Sequence, residues 1–288
     1  MDRANRKVMR DEPSSTAAPP TGWLAQLELE VAFDGDRSVL VRNRHQGPLR
    51  VQKPLYPEGP AAVHAIVVHP PGGIRSGDRL EIAAAVAPSA HAFLTSPGAA
   101  KWYRGDDGDA FQTVTLAADD GAALEWMPQE TIYFDGACAV QRHTVRLGVD
   151  ARYIGCDVLC FGRQASGERF TRGRLRLHAE IWRGEQLLWH EQACLRAGSA
   201  ALDGPFGLDG ATVCATLVAA GPALPAALQA QIRSLDPALG ASQLKSVFIA
   251  RLLCADSEHA RRVMGDAWRL LRPHVVGRPA LFPRIWAT

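Results

Sequence analysis

From Trp23 onward the apolar residues of this chain recur at every second position. Leu27, Leu29, Val31 and Phe33 alternate with Gln26, Glu28, Glu30 and Ala32. Leu80, Ile82, Ala84 and Val86 repeat the pattern, as do Leu175, Leu177, Ala179 and Ile181 against Arg174, Arg176, His178 and Glu180. A period of two sends alternate side chains to opposite faces of a strand, so each run predicts one buried and one wetter face. Gly- and Pro-rich clusters ("HQGP", "YPEGP", "PPGG", "RGDDGD", "ADDG", "FDG") interrupt the runs at about 8–12-residue intervals. Many short strands at that spacing restrict the chain to a mainly β fold: a sandwich, a barrel or a coil of β-helix-like layers.

Only the C-terminal quarter changes period. "LPAALQAQIRSL" (224–235) reads as a short helix opened by Pro225, and "LKSVFIARLLC" (244–254) as one more strand. "DSEHARRVMGDAWRLL" (256–271) reads as a helix capped by Asp256 or Ser257, with Val263, Ala267, Leu270 and Leu271 on one face and Pro273 as its stop. The expected organisation is a disordered tail over residues 1–20, rich in Pro, Ser, Thr and charge, then one large β domain over 21–288 with a small two-helix C-terminal part.

Composition excludes several function classes. Lys plus Arg is 32 and Asp plus Glu is 30, a net charge of +2, which gives no field suited to nucleic acid or an anionic membrane. The first twenty residues lack the apolar core of a secretion signal, and no apolar run is long enough to span a bilayer. A cytoplasmic location is expected, with the six cysteines reduced. Cys156 and Cys160 share strand parity in "RYIGCDVLCFG" and read as small buried hydrophobes.

"HPPGGIRSGD" (69–78) is the densest turn signal. It lacks the lysine and following helix of a phosphate loop. It reads as two turns, with Pro71-Gly72 at the centre of the first and Ser76-Gly77-Asp78 forming the second. No nucleophile elbow, zinc-protease motif or dinucleotide fingerprint occurs. The nine histidines are scattered, with no helical i, i+4 pair and no two on one short strand face, so no preformed metal site is legible. Glu125 and Glu130 in "LEWMPQETIYFDG" leave one enzymatic alternative, a carbohydrate hydrolase acting through a carboxylate pair.

Several polar blocks stand inside otherwise apolar strands: "GPLRVQKPLYPEG" (47–59), "GAAKWYRG" (98–105), "EWMPQETIYF" (125–134) and "FGRQASGERF" (161–170). Charges in such settings are costly unless paired, hydrated or functional, and several together suggest a shared hydrated interior. These blocks, with "HPPGGIRSGD" and the terminal "PRIWAT", occur in an order that resembles the urease accessory protein family called UreD, or UreH, from about residue 22 to the chain end.

The resemblance implies a β-coil fold, no catalytic residues and no tightly bound cofactor, with Ni²⁺ only in transit. It implies docking on urease apoprotein beside a helical accessory protein of the UreF type and a nickel-carrying GTPase of the UreG type, and no nucleic acid or membrane partner. Nickel stands high in the Irving–Williams order, so a path for it should offer weak oxygen ligands rather than His/Cys clusters. On that basis Asp78, Glu130 and Glu168 are the candidate lining carboxylates, with Arg50, Lys53, Gln129 and Arg169 as further lining or pairing groups. Arg261 and Arg269 on the C-terminal helix, with Phe282, Ile285 and Trp286 beyond it, are the candidate partner surface; the alternative is that the last three tuck into the core.

Overall fold

The computed structural model describes residues 22–105 and 108–287; the tail expected over residues 1–20 lies outside them. A hairpin of β1 (Leu24–Asp34) and β2 (Arg37–Gln46) comes first, followed by a short β3 (Arg50–Val51). The chain then winds through β4 (Val63–Val68), β5 (Arg79–Val86), β6 (His91–Thr95), β7 (Ala100–Trp102), β8 (Ala110–Ala118), β9 (Ala123–Trp126) and β10 (Thr131–Tyr133). It continues through β11 (Cys138–Leu147), β12 (Arg152–Phe161), β13 (Arg174–Arg183) and β14 (Gln186–Arg196). After a single helical turn, α1 (Ala200–Asp203), come β15 (Val213–Ala220), α2 (Ala226–Arg233), β16 (Leu239–Leu244), β17 (Val247–Cys254) and α3 (Ser257–Val276).

The expected β-helix-like layering is present. Successive strands alternate between two sheets: one runs β14-β13-β11-β8-β5-β1-β2 and the other β16-β17-β15-β12-β9-β6-β4-β3. Neighbours along β1-β5-β8-β11-β13 are parallel, and so are those along β4-β6-β9-β12. Short β7 and β10 add a third side, pairing in parallel beside the end of β12. Stacked coils bring equivalent positions into ladders. Leu29, Ala84, Leu116, Val145 and Ile181 form one buried rung across the first sheet. The parallel register lets each apolar position cover the next, which is how a coil with no central helix builds a core.

Two corrections apply to the C-terminal quarter. The run 244–254 does hold one strand, but it starts at Val247, and an unexpected strand over Leu239–Leu244 precedes it; the two form a hairpin that turns at Lys245-Ser246, with Lys245 at φ 52°. Gly240 and the polar Ser242 and Gln243 weakened the alternation of its first strand. Helix α3 starts as expected, with the Asp256 carboxylate accepting from Glu258 N–H, but Pro273 does not stop it. The helix runs to Val276 and ends on Gly277 at φ 73°, a left-handed cap that glycine adopts without a Cβ penalty. Pro273 is exposed, so water can take the carbonyl its missing N–H leaves free, while buried Arg272, Val275 and Val276 on either side hold the last turn down.

The second sheet has two covered faces. Leu124, Trp126, Tyr153, Leu159 and Phe161 point toward the first sheet, while Phe93, Met127, Ile154, Cys156, Val158 and Cys160 point toward α3. Under α3 this outer face carries a buried polar cluster. Arg272 is fully buried and spans two carboxylates: its guanidinium donates to Glu125 Oε1 at 2.9 Å and to both Glu58 oxygens at 2.8 Å. His91 Nε2 donates to Glu125 at 2.7 Å, His64 Nε2 to Glu58 at 2.7 Å, and Trp268 Nε1–H to Glu125 at 2.8 Å. The guanidinium also reaches the Pro279 carbonyl, and Arg278 donates to the Glu58 carbonyl at 3.0 Å. Burial alone would push both carboxyls up. The hydrogen bonds and charges of His91 and Arg272 on Glu125, and of His64 and Arg272 on Glu58, outweigh it and bring each down to about 2.

Arg272→Met would remove the one cation that both buried carboxylates share, a loss of about 3–5 kcal/mol for a broken buried pair. Urea denaturation should show that loss, and limited proteolysis should release α3 first. The same cluster sets an acid limit. Carboxyls held below their unfolded value stabilise the fold above that value and lose the contribution as pH falls through the folded one. The melting temperature should therefore fall progressively from about pH 4.5 toward about 2, and a scan of Tm against pH should show a shallower fall for Glu125→Gln.

Candidate functional site

The space between the two sheets is not fully packed. A cavity of ≈ 210 Å³ lies against β4 to β10, and another of ≈ 440 Å³ lies against β12 to β15 and β17. His143, Asp157 and Leu177 belong to the walls of both, so these three residues stand between the two spaces.

The ladders explain why the interior opens at this level. The rung Ala25, Leu80, Gln112, Gln141 and Leu177 places two amides among apolar side chains, and the next inward rung carries His143 between Val114 and Ala179. Gln141 Nε2 donates to Gln112 Oε1 at 2.9 Å, and the Tyr133 hydroxyl donates to Gln141 Oε1 at 2.6 Å. Tyr153 OH lies 3.3 Å from His143 Nε2. Gly155 is required beside it: a Cβ there would stand 2.2 Å from the Tyr153 hydroxyl. In the larger cavity Glu191 accepts from Arg251 at 2.6 Å, and Arg251 also donates to Thr216 Oγ1 at 3.0 Å. Polar groups thus follow one another along the interior.

Asp157 differs from its neighbours. Among the described residues no cation forms an ion pair with it. Burial raises its carboxyl to about 6, and the Glu191 carboxylate acts in the same direction. Burial pushes the His143 imidazole down to about 4, so it is neutral at physiological pH. An anionic oxygen that titrates near neutrality, a neutral imidazole and several amide oxygens make a weak and mostly oxygen-based donor set.

The residues singled out from sequence take other places, with one exception. Gln129 lines the smaller cavity, and its buried Oε1 has no hydrogen-bond partner. Asp78 is a turn carboxylate that accepts from Trp23 N–H at 2.8 Å and Arg75 N–H at 2.9 Å. Glu130 faces α3 and pairs with Arg261 at 3.4 Å. Glu168 pairs with Arg163 at 2.7 Å and accepts from Asp135 N–H at 3.1 Å. Arg50, Lys53 and Arg169 are exposed. Arg269 pairs with Asp266 at 2.9 Å. The terminal segment folds back: Trp286 donates to Thr95 Oγ1 at 2.8 Å, and Phe282 and Trp286 pack on Trp268 at 5.4 and 5.8 Å. Ile285 is half-buried beside them.

In "HPPGGIRSGD" the first turn closes from Gly72 N–H to His69 C=O at 3.2 Å, which puts Pro70-Pro71 at its centre rather than Pro71-Gly72. The second closes from Asp78 N–H to Arg75 C=O at 3.0 Å, with Gly77 at φ 85° as expected. His69 and Gly72 border the smaller cavity. Glu125, half of the carboxylate pair in the hydrolase alternative, is fully buried and bound to Arg272, and cannot meet a polysaccharide. Cys156 and Cys160 are buried free thiols as expected, and burial pushes both up, Cys160 to about 12.

Sequence reading passed over Asp157, although "GCDVLC" shows a carboxylate in the middle of an apolar run. The strand's parity sends Cys156, Val158 and Cys160 to α3 and Asp157 to the opposite face. Among the described residues no helix is long and apolar enough to cross a membrane.

Comparison with known proteins places the chain in a family. The family described as UreD urease accessory protein matches residues 24–287. A protein of Janthinobacterium sp. (strain Marseille) named urease accessory protein UreD is 49% identical over 270 residues, covering 92% of this chain and 91% of its own length. Its namesake in Dechloromonas aromatica (strain RCB) is 48% identical over 96% of this chain and 98% of its own length, and that of Pseudomonas fluorescens (strain Pf0-1) is 48% identical over 96% and 99%. These relatives are named as accessory proteins, not as enzymes. On the family match and on relatives aligned over nearly their whole length, the chain belongs to the UreD urease accessory protein family.

Proposed function

We propose that this chain is a urease maturation factor that works without turnover of its own. It docks on urease apoprotein beside a helical accessory protein and a nickel-carrying GTPase, and Ni²⁺ passes through its interior toward the urease active site. The observation that carries this reading is the pair of interior cavities that share His143, Asp157 and Leu177 as walls. The path begins beside Gln129, passes Gln112 and Gln141, crosses between His143 and Asp157, and leaves past Glu191.

The chemistry of the walls supports transit rather than storage. A divalent ion crossing a protein interior loses part of its hydration, and a carboxylate on the way lowers that cost. Asp157 supplies the charge at the wall the two cavities share. Because its carboxyl titrates at about 6, it is mostly ionised at pH 7.5 and becomes neutral under mild acid. His143, held by Tyr153, offers one nitrogen only. His69 also lines the smaller cavity and Cys194 and Cys214 line the larger one, but among the described residues no three His, Cys, Asp or Glu donors of these walls gather around one point, so the ion is not trapped. Asp78, Glu130 and Glu168 are assigned to the fold, and Gln129 to the path.

Asp157→Asn keeps the shape and removes the charge. Co-expressed with urease and its accessory proteins, it should assemble normally while the recovered urease holds less nickel and less activity. Full activation would refute the role of Asp157; loss of assembly would make it a structural residue. Stability gives an independent sign. A carboxyl raised above its unfolded value costs stability as pH rises through that interval, and the cost remains above it. Asp157→Asn should therefore melt at a higher temperature than the native chain at pH 7.5, the behaviour of a residue kept for function at the expense of stability.

A further inference from the structure

Beyond the interior path, the hairpin β13–β14 brings together donors that are far less legible in the sequence. His178 and Glu180 stand two apart on β13 and so share a face, opposite that of Leu177 and Ala179. The register pairs Glu180 with His190 on β14, which places the second imidazole across from the carboxylate. His178 Nε2 lies 3.1 Å from Glu180 Oε1, and one donor atom from each of the three residues lies within 4.8 Å of the others. The two imidazole rings are 5.2 Å apart and nearly perpendicular, at 80°.

We propose that His178, Glu180 and His190 form a binding site for one late first-row divalent cation, of the class of Ni²⁺ or Zn²⁺. Two imidazoles and one carboxylate on a single face are a borderline-soft donor set, suited to these ions and poorly suited to Mg²⁺, which prefers oxygen alone. Three donors leave coordination positions open to water or to a ligand from another protein. The carboxylate is held in place by a neighbour: Trp182 Nε1–H donates to Glu180 Oε2 at 2.9 Å, which leaves Oε1 toward the imidazoles. Such an outer partner is what orients a metal ligand before the ion arrives. His190 is exposed and His178 and Glu180 are half-buried, so the ion has access without any opening of the fold. Glu180 also borders the larger cavity, which puts the site at its edge, but occupancy is read directly and does not rest on the conduit.

The test is calorimetric titration of the full, chelator-stripped chain at pH 7.5 with NiCl₂, ZnCl₂ and MgCl₂. One equivalent of Ni²⁺ or Zn²⁺ should bind and Mg²⁺ should not. His178→Ala and His190→Ala should each weaken that binding by more than the roughly tenfold loss expected of an outer-partner change. Trp182→Phe should show that loss, about tenfold, with the stoichiometry kept. Melting temperatures should be unchanged in His190→Ala, whose side chain is exposed, so weaker binding there cannot be ascribed to unfolding. Native affinity in both histidine variants would overturn the proposal, as would equal binding of Mg²⁺. Loss of the equivalent in Asp157→Asn with retention in the histidine variants would also overturn it, because the ion would then lie inside.

Discussion

The fold depends on one buried cation. Arg272 sits at no measurable exposure between Glu58 and Glu125, and the three residues come from the loop before β4, from β9 and from α3. Without it, Glu125 would keep only His91 and the Trp268 indole as side-chain partners among the described residues, and Glu58 only His64 and, at 3.6 Å, the more exposed Arg278. With it, the last turn of α3 is fixed on the outer face of the second sheet, and the segment that follows is fixed too, through Pro279 and Arg278. A buried ion pair of this kind is a weak source of net stability compared with apolar packing, but removing one partner is costly. Its effect is to specify one position of α3, much as a single polar residue specifies register in a coiled coil.

The clamp matters for the interior because both faces of the second sheet are in use. Strand β12 sends Cys156, Val158 and Cys160 to α3 and Asp157 and Leu159 toward the first sheet. The helix side is filled and locked. The other side keeps open space with polar walls. A strand can hold an unpaired carboxylate against a cavity only if its other face is anchored, since the charge itself opposes folding. The position of Asp157 and the packing of α3 are therefore linked through a single strand.

Much of the fold was legible because alternation is a local signal. Leu80 to Val86 and Leu175 to Ile181 needed only their own neighbours to be read as strands, and "SGD" needed only its glycine to be read as a turn. The layered coil was legible in outline from strand length and turn spacing, with the family resemblance to narrow it. What failed was non-local. Pro273 was read as a helix stop because its tolerance depends on Arg272 meeting Glu58, 214 residues away. The candidate carboxylates were chosen as charges near apolar runs, a rule that also selects turn caps such as Asp78 and surface pairs such as Glu168 with Arg163. Asp157 satisfied the same rule better, and its face could have been counted from Tyr153. His178 and His190 escaped because their meeting depends on a hairpin register with a bulge at Ile181/Trp182.

A steric block tests the conduit more directly than any change of charge. Leu177 lines both cavities, and an indole at that position would fill space beside their shared wall without altering a single charge. Leu177→Trp, co-expressed with urease and its accessory proteins, should fold and assemble as the native chain does, and nickel analysis of the purified urease should show the metal reduced. Native nickel content in urease matured by a folded, assembled Leu177→Trp chain would contradict passage through the interior.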